Sequence, residues 1–167
     1  MTAIVLAYAA LLVACAATDV ASLRIPNLLV GALAALFVVA CLLHPPGSIL
    51  YAHVVPAIMA FALAAGVFFA GKMGGGDVKF LAAAVLWVGL PKLGFFLVSL
   101  AVFGMIAILV FAVFRQQAVG VLSWVGARVG RTIPIPASLE TGRSIPYGVV
   151  IAAAALLTGP DLMGGWQ

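Results

Sequence analysis

Residues 80–114 contain a single charged side chain, Lys92, and no other stretch of the chain restricts its fold so strongly. One continuous helix over that length would run roughly 50 Å at 1.5 Å per residue, well beyond the ~30 Å of a bilayer's hydrocarbon. Pro91, just before Lys92, lacks a backbone N–H and disfavours an unbroken helix. A tight hairpin at residues 91–94 is therefore expected, turning one apolar run into two crossings. Composition excludes a water-soluble alternative. The chain is 66% hydrophobic and 7% charged, whereas soluble domains carry about a quarter charged residues. There is too little polar surface to cover a core, so the solvent must be largely lipid.

Breaks at Pro, Gly and charge divide the chain into six apolar runs, about 2–18, 27–43, 50–70, 78–90, 94–114 and 144–160. Spanning backbone must satisfy its own hydrogen bonds, so the fold class is an all-α polytopic membrane protein. The expected architecture is a bundle of about six transmembrane helices, read as one membrane-embedded domain over residues 1–167. With six crossings, Arg24, Lys72, Lys79, Arg115, Arg128, Arg131 and Arg143 gather on one side and Lys92 alone on the other. The cation-rich side is then cytoplasmic, which leaves both termini outside and places the chain in the cell's inner membrane. Residues 2–18 lack the basic opening of a secretory signal, although Leu12-Val13-Ala14-Cys15 resembles a lipoprotein cleavage box. A retained first helix is the preferred reading. Residues 115–143 form the only long loop, where apolar positions beside Arg128 and Arg131 fit either a cytoplasmic interfacial helix or a plain connector.

Several function classes drop out. The cations sit singly in short loops with no basic stripe of interleaved aromatics, so no nucleic-acid partner is expected. Cys15 and Cys41 lie in apolar runs and no CxxC pair is present, which removes a zinc knuckle. His44 and His53 lie near Pro45-Pro46 on the far side and read as interfacial polar residues rather than ligands. No metal and no cofactor are expected.

The four acids are Asp19, Asp77, Glu140 and Asp161. Solvation explains Glu140 in the long loop and Asp161 near the terminus. Asp19 closes the first span and Asp77 opens the fourth, so both return to the same membrane face. Ionisable groups at membrane depth are costly and usually functional. Two carboxylates sharing a partly dehydrated site cannot both ionise easily, and a pair holding one proton suits peptide hydrolysis. The plainer reading is that Asp19 caps a helix or pairs with Arg24, and that Asp77 caps helix four or pairs with Lys79. Before Asp77 runs Gly74-Gly75-Gly76, which allows another backbone to approach closely. A phosphate cradle would need a Gly-Lys-Ser/Thr ending and a preceding soluble strand, and both are missing.

After Asp19 comes Arg24-Ile25-Pro26-Asn27, and the second segment reads Gly74-x-Gly76-Asp77-x-Lys79. Together they resemble the type IV prepilin peptidase family of membrane aspartic proteases. Ile145-Pro146-Tyr147-Gly148, opening the last run, resembles a third family segment. The resemblance implies that Asp19 and Asp77 are catalytic, with Arg24, Pro26, Asn27, Gly74, Gly76, Lys79 and Pro146 binding substrate or supporting the site. For three of these the functional and structural roles are equally open: Arg24 contacts substrate or anchors the loop, Asn27 caps helix two or bonds to the Asp19 region, and Lys79 favours the ionised form of Asp77 or holds a phospholipid. The implied substrate is a prepilin, whose short basic leader is cut on the cytoplasmic side. Larger members carry an N-terminal region with paired CxxC motifs and N-methylate the product. This sequence shows no such region, so it resembles the short form of tight-adherence (Flp-type) systems, with a Flp-like pilin or pseudopilin as partner and lipid as surroundings.

A presenilin-like protease shares the Gly-x-Gly-Asp signature but normally sets its other acid after Tyr, whereas Thr18 precedes Asp19. A proton-coupled transporter or channel using Asp19 and Asp77 would place them near the midplane among broken helices. An inactive assembly factor would not need to keep both acids.

Overall fold

The computed structural model describes residues 2–44, 50–129 and 146–160. Those residues form helices and their connections, with no strand among them. The helices are α1 (Thr2–Ser22), α2 (Asn27–Leu43), α3 (Leu50–Phe69), α4 (Gly75–Val129) and α5 (Tyr147–Thr158). Three stretches are long and apolar enough to cross a membrane, Thr2–Ser22, Leu50–Phe69 and Gly75–Val110, whereas α2 and α5 are shorter apolar helices. Large apolar side chains such as Leu6, Leu28, Leu63 and Val98 stand exposed on the outside. A bundle apolar on its outer face as well as within belongs in lipid.

The expected fourth and fifth runs are one helix broken at Gly89, whose φ of 67° and ψ of 172° are not helical. The turn comes two residues ahead of Pro91, which falls in the first turn of the second arm, where its missing N–H costs little. The chain reverses there. Asp19 meets Gly148 and Tyr8 meets Ala155, so α5 runs antiparallel to α1. Lys92 reaches Pro160 while Gly104 lies beside Val150, so the second arm runs back along α5. His53 secures the break. Its Nδ1 lies 3.0 Å from the Leu86 carbonyl oxygen, which can only accept, so the ring donates there. His53 is fully buried within the bundle, beside the break.

A side chain at Gly89 would bring its Cβ to 2.7 Å from the His53 ring, in a backbone region open essentially to glycine alone. Gly89→Ala is expected to cost at least ~1–3 kcal/mol and to lower the thermal midpoint in detergent by several degrees. A midpoint equal to wild type would show that the break is not held this way.

Two further expectations change. Helix α4 continues through residue 129, so residues 115–129 extend the second arm and are not a separate interfacial helix. Within them Arg128 stacks over Trp124, 4.7 Å from the ring centroid. The remainder of that segment, with Arg131, Glu140 and Arg143, lies outside the described residues, as do Pro45-Pro46, Ile145 and Asp161.

The core sits where α1, α2 and the first arm of α4 converge on Trp87. Its ring packs against Tyr8 at 4.8 Å and edge-on to Phe37 at 5.5 Å, and its Nε1 donates to the Leu33 carbonyl at 2.9 Å. In α1 the buried positions are Ile4, Tyr8, Leu12, Cys15 and Asp19, a stripe at helical spacing. An acid therefore takes the last place in an apolar stripe.

Candidate active site

Helix α1 ends one turn beyond Asp19. Leu23 adopts a left-handed φ of 52°, and its N–H closes the helix on the Asp19 carbonyl at 2.8 Å. That conformation costs a non-glycine residue roughly 1–2 kcal/mol. It turns the chain sharply, so that Ile25 is buried while Arg24, Pro26 and Asn27 are exposed. Pro26 is the N-cap of α2, and no side chain caps that helix. The Asn27 amide instead accepts a hydrogen bond from Lys79 Nζ at 3.0 Å, which sets aside the reading of Asn27 as a cap of helix two.

Asp77 arrives by a second tight turn. Helix α3 ends on Gly71, with φ of 71°, whose N–H meets the Phe68 carbonyl while that of Lys72 meets Val67. These paired bonds close a helix C-terminus and require the left-handed residue that glycine supplies. Helix α4 begins at Gly75, four residues on. Gly74 accepts the first intrahelical bond from Val78 at 3.2 Å, and the Asp77 carboxyl reaches back to the Gly74 N–H. The plainer reading of Asp77 as a helix cap is thus borne out, without its suggested partner Lys79.

Asp19 caps a helix too, but not its own. It is 4% exposed, and its Oδ2 accepts the Gly148 N–H at 2.7 Å. Gly148 lies in the first turn of α5, whose N-cap Pro146 makes no side-chain cap. Its N–H would otherwise have no intrahelical partner. Both carboxyl groups therefore sit at positive helix ends, where partial charge favours an anion. The two groups lie within electrostatic reach of one another.

Ile25 joins the two halves. A Cβ on Gly76 would stand 3.3–3.4 Å from the Ile25 Cβ, N and O atoms, and one on Gly148 would stand 2.9 Å from Ile25 Cδ1. The glycines let the starts of α4 and α5 close on one residue, with Asp77 beside the first and Asp19 against the second. The structure thus brings Asp19, Asp77, Gly74, Gly76, Asn27, Lys79 and buried Pro146 to one end of the bundle. Arg24 is at the same end with its side chain exposed.

Sequence reasoning missed Gly148 as the partner of Asp19. The only signal was a glycine two places after Pro146, and its partner is 129 positions away. Among the described residues no cluster of three or more His, Cys, Asp or Glu side chains is placed to hold a metal. A buried carboxyl beside a half-buried one, with glycine backbone alongside, has the parts for acid–base chemistry on a peptide bond. The break in α4 lies at the other end of the first arm from Asp77, so broken backbone does not line the acids as a transporter site would require.

The model of the type IV leader peptidase family matches residues 6–127. That range includes both aspartates and both arms of α4 but stops short of α5. Searches of curated proteins and of solved structures return no match.

Proposed function

The chain belongs to the type IV leader peptidase family, and from that premise we propose that it is an aspartic endopeptidase removing the short basic leader of a Flp-like prepilin or pseudopilin at the cytoplasmic face of the inner membrane. Membership makes it a protease of the leader-peptidase kind, and its apolar helices make it an integral membrane protein. The finer reading is supported above all by one observation. Asp19 and Asp77, far apart in sequence, stand at two helix starts that both close on Ile25, through Gly76 beside Asp77 and Gly148 bonded to Asp19.

The ionised carboxylate takes a proton from water as the water oxygen attacks the scissile carbonyl carbon. The protonated carboxyl donates to the carbonyl oxygen, and the pair returns a proton to the leaving amine as the C–N bond breaks. Gly74, exposed just ahead of α4, is where an extended leader approaches Asp77, whereas Gly75 and Gly76 lie within the helix and are covered by Phe68 and Ile25. The substrate's apolar helix then stays in the bilayer, beside a bundle that α2, α5 and the two arms of α4 bring to about six crossings.

Co-expression with a Flp-like prepilin tests the reading. Mature pilin, identified by its new N-terminal mass, should appear only with the intact chain, and unprocessed precursor in its presence would overturn the proposal. The orientation has its own check. In intact cells a membrane-impermeant thiol reagent should label Lys92→Cys but not Lys72→Cys, in a background lacking Cys15 and Cys41. The reverse pattern would place the pair outside.

A further inference from the structure

Where α2, α3 and the first arm of α4 meet, the bundle leaves an open groove of about 540 Å³. Gly31 and Ala34 of α2, Ala57 and Phe61 of α3, and Ala83 and Leu86 of α4 form its walls. At Gly31 nothing stands within 4 Å of where a side chain would begin. The polar groups of this groove are gathered at one end, where Lys79 Nζ donates to Asn27 Oδ1. Asn27 is neutral, so the ammonium keeps its full charge at the mouth of an apolar slot. From Lys79 to Leu86 the helix rises roughly 10 Å, enough for a good part of an acyl chain.

We propose that this groove seats a phospholipid of net negative headgroup, its phosphate at Lys79 and Asn27 and one acyl chain along the seam lined by Gly31 and Ala83. Charge selects this occupant. A basic leader peptide would meet Lys79 as a like charge. A second copy of the chain would have to bring an acid to the mouth, and the two acids among the described residues, Asp19 and Asp77, are both engaged at helix starts. An anionic headgroup gains from the ammonium without cancelling a bond the fold needs. The site is independent of peptide cleavage and stands whether or not the aspartates act on a leader.

The test is lipid retention by the detergent-purified chain in native mass spectrometry, without substrate. Phosphatidylglycerol and phosphatidylcholine with identical acyl chains are the probes, and inorganic phosphate is the competitor. Wild type should retain phosphatidylglycerol about fivefold better, the preference one cation confers at an anionic surface. Lys79→Gln should bring the two lipids close to parity, and Lys79→Arg should keep the preference. Gly31→Leu, which projects into open space, should lower retention of both. Equal retention by wild type, or a preference untouched by Lys79→Gln, would overturn the proposal. So would displacement by millimolar phosphate, which would make the site one for free anion. A Gly31→Leu variant that changes oligomeric state but not lipid retention would give the groove to a second copy instead.

Discussion

Asp19→Asn and Asp77→Asn should each lower leader removal by at least ~10³-fold, within the range that general acid–base groups contribute, while leaving the fold intact. The fold should survive because asparagine keeps an oxygen where each carboxylate is used structurally. An amide oxygen at position 19 can still accept the Gly148 N–H, and one at position 77 can still reach the Gly74 N–H. Alanine is a harsher change. Asp19→Ala would leave the Gly148 N–H buried without its acceptor, a loss of about 1–3 kcal/mol that lowers the melting midpoint as well. The asparagine variants therefore separate chemistry from capping, which no single alanine variant can do. Wild-type activity should also fall on both sides of a pH optimum. A doubly ionised pair lacks the acid and a doubly protonated pair lacks the base, and both limbs belong to the pair. Normal processing by either asparagine variant would reduce Asp19 and Asp77 to helix caps.

The second large effect is steric. Gly148→Ala places a methyl group 2.8 Å from Asp19 Oδ2, 3.0 Å from Asp19 Cβ and 2.9 Å from Ile25 Cδ1. Asp19 has little freedom to yield, because its Cβ is one of the atoms met and its own helix is packed along the same stripe. The start of α5 must move or the carboxyl must leave the Gly148 N–H that fixes it. A misplacement near 1 Å can cost about 10²-fold in rate, and a loss of that order is expected in leader removal. Gly104→Ala is the matched control at the contact between the second arm of α4 and α5. Its added Cβ would meet only Val150 Cγ1 at 3.9 Å, an ordinary contact. Equal activity in both variants would mean that Gly148 does not position Asp19.

Asp19 and Asp77 were legible from sequence because charge in an apolar chain is rare and the cation pattern assigned both to one face. The motif residues Ile25, Gly76 and Gly148 were legible as a resemblance, but their reason was not. They are the three points at which two helix starts and one loop touch. Contacts of that kind depend on backbone approach between segments far apart in the chain, up to 129 positions for Asp19 and Gly148, which no local pattern encodes. Apolar length implies the hairpin, but Pro91, the residue with the strongest local signal, is not where the chain breaks. The break falls at Gly89 because a buried His53 takes the Leu86 carbonyl there, and a tertiary contact outweighs local preference. Lys79 and Asn27, in separate motifs, carry no local signal of one another, and the structure joins them by one hydrogen bond.

Single-turnover leader removal by purified wild type, Asp19→Asn, Asp77→Asn and the double variant tests the pairing most directly. Groups that act as a unit lose their effect together. If Asp19 and Asp77 share one proton and one water, the double variant should be no slower than the slower single variant. Losses that multiply in the double variant, or a single variant that retains about a tenth or more of the wild-type rate, far above the loss expected of a general acid or base, would contradict a shared catalytic pair.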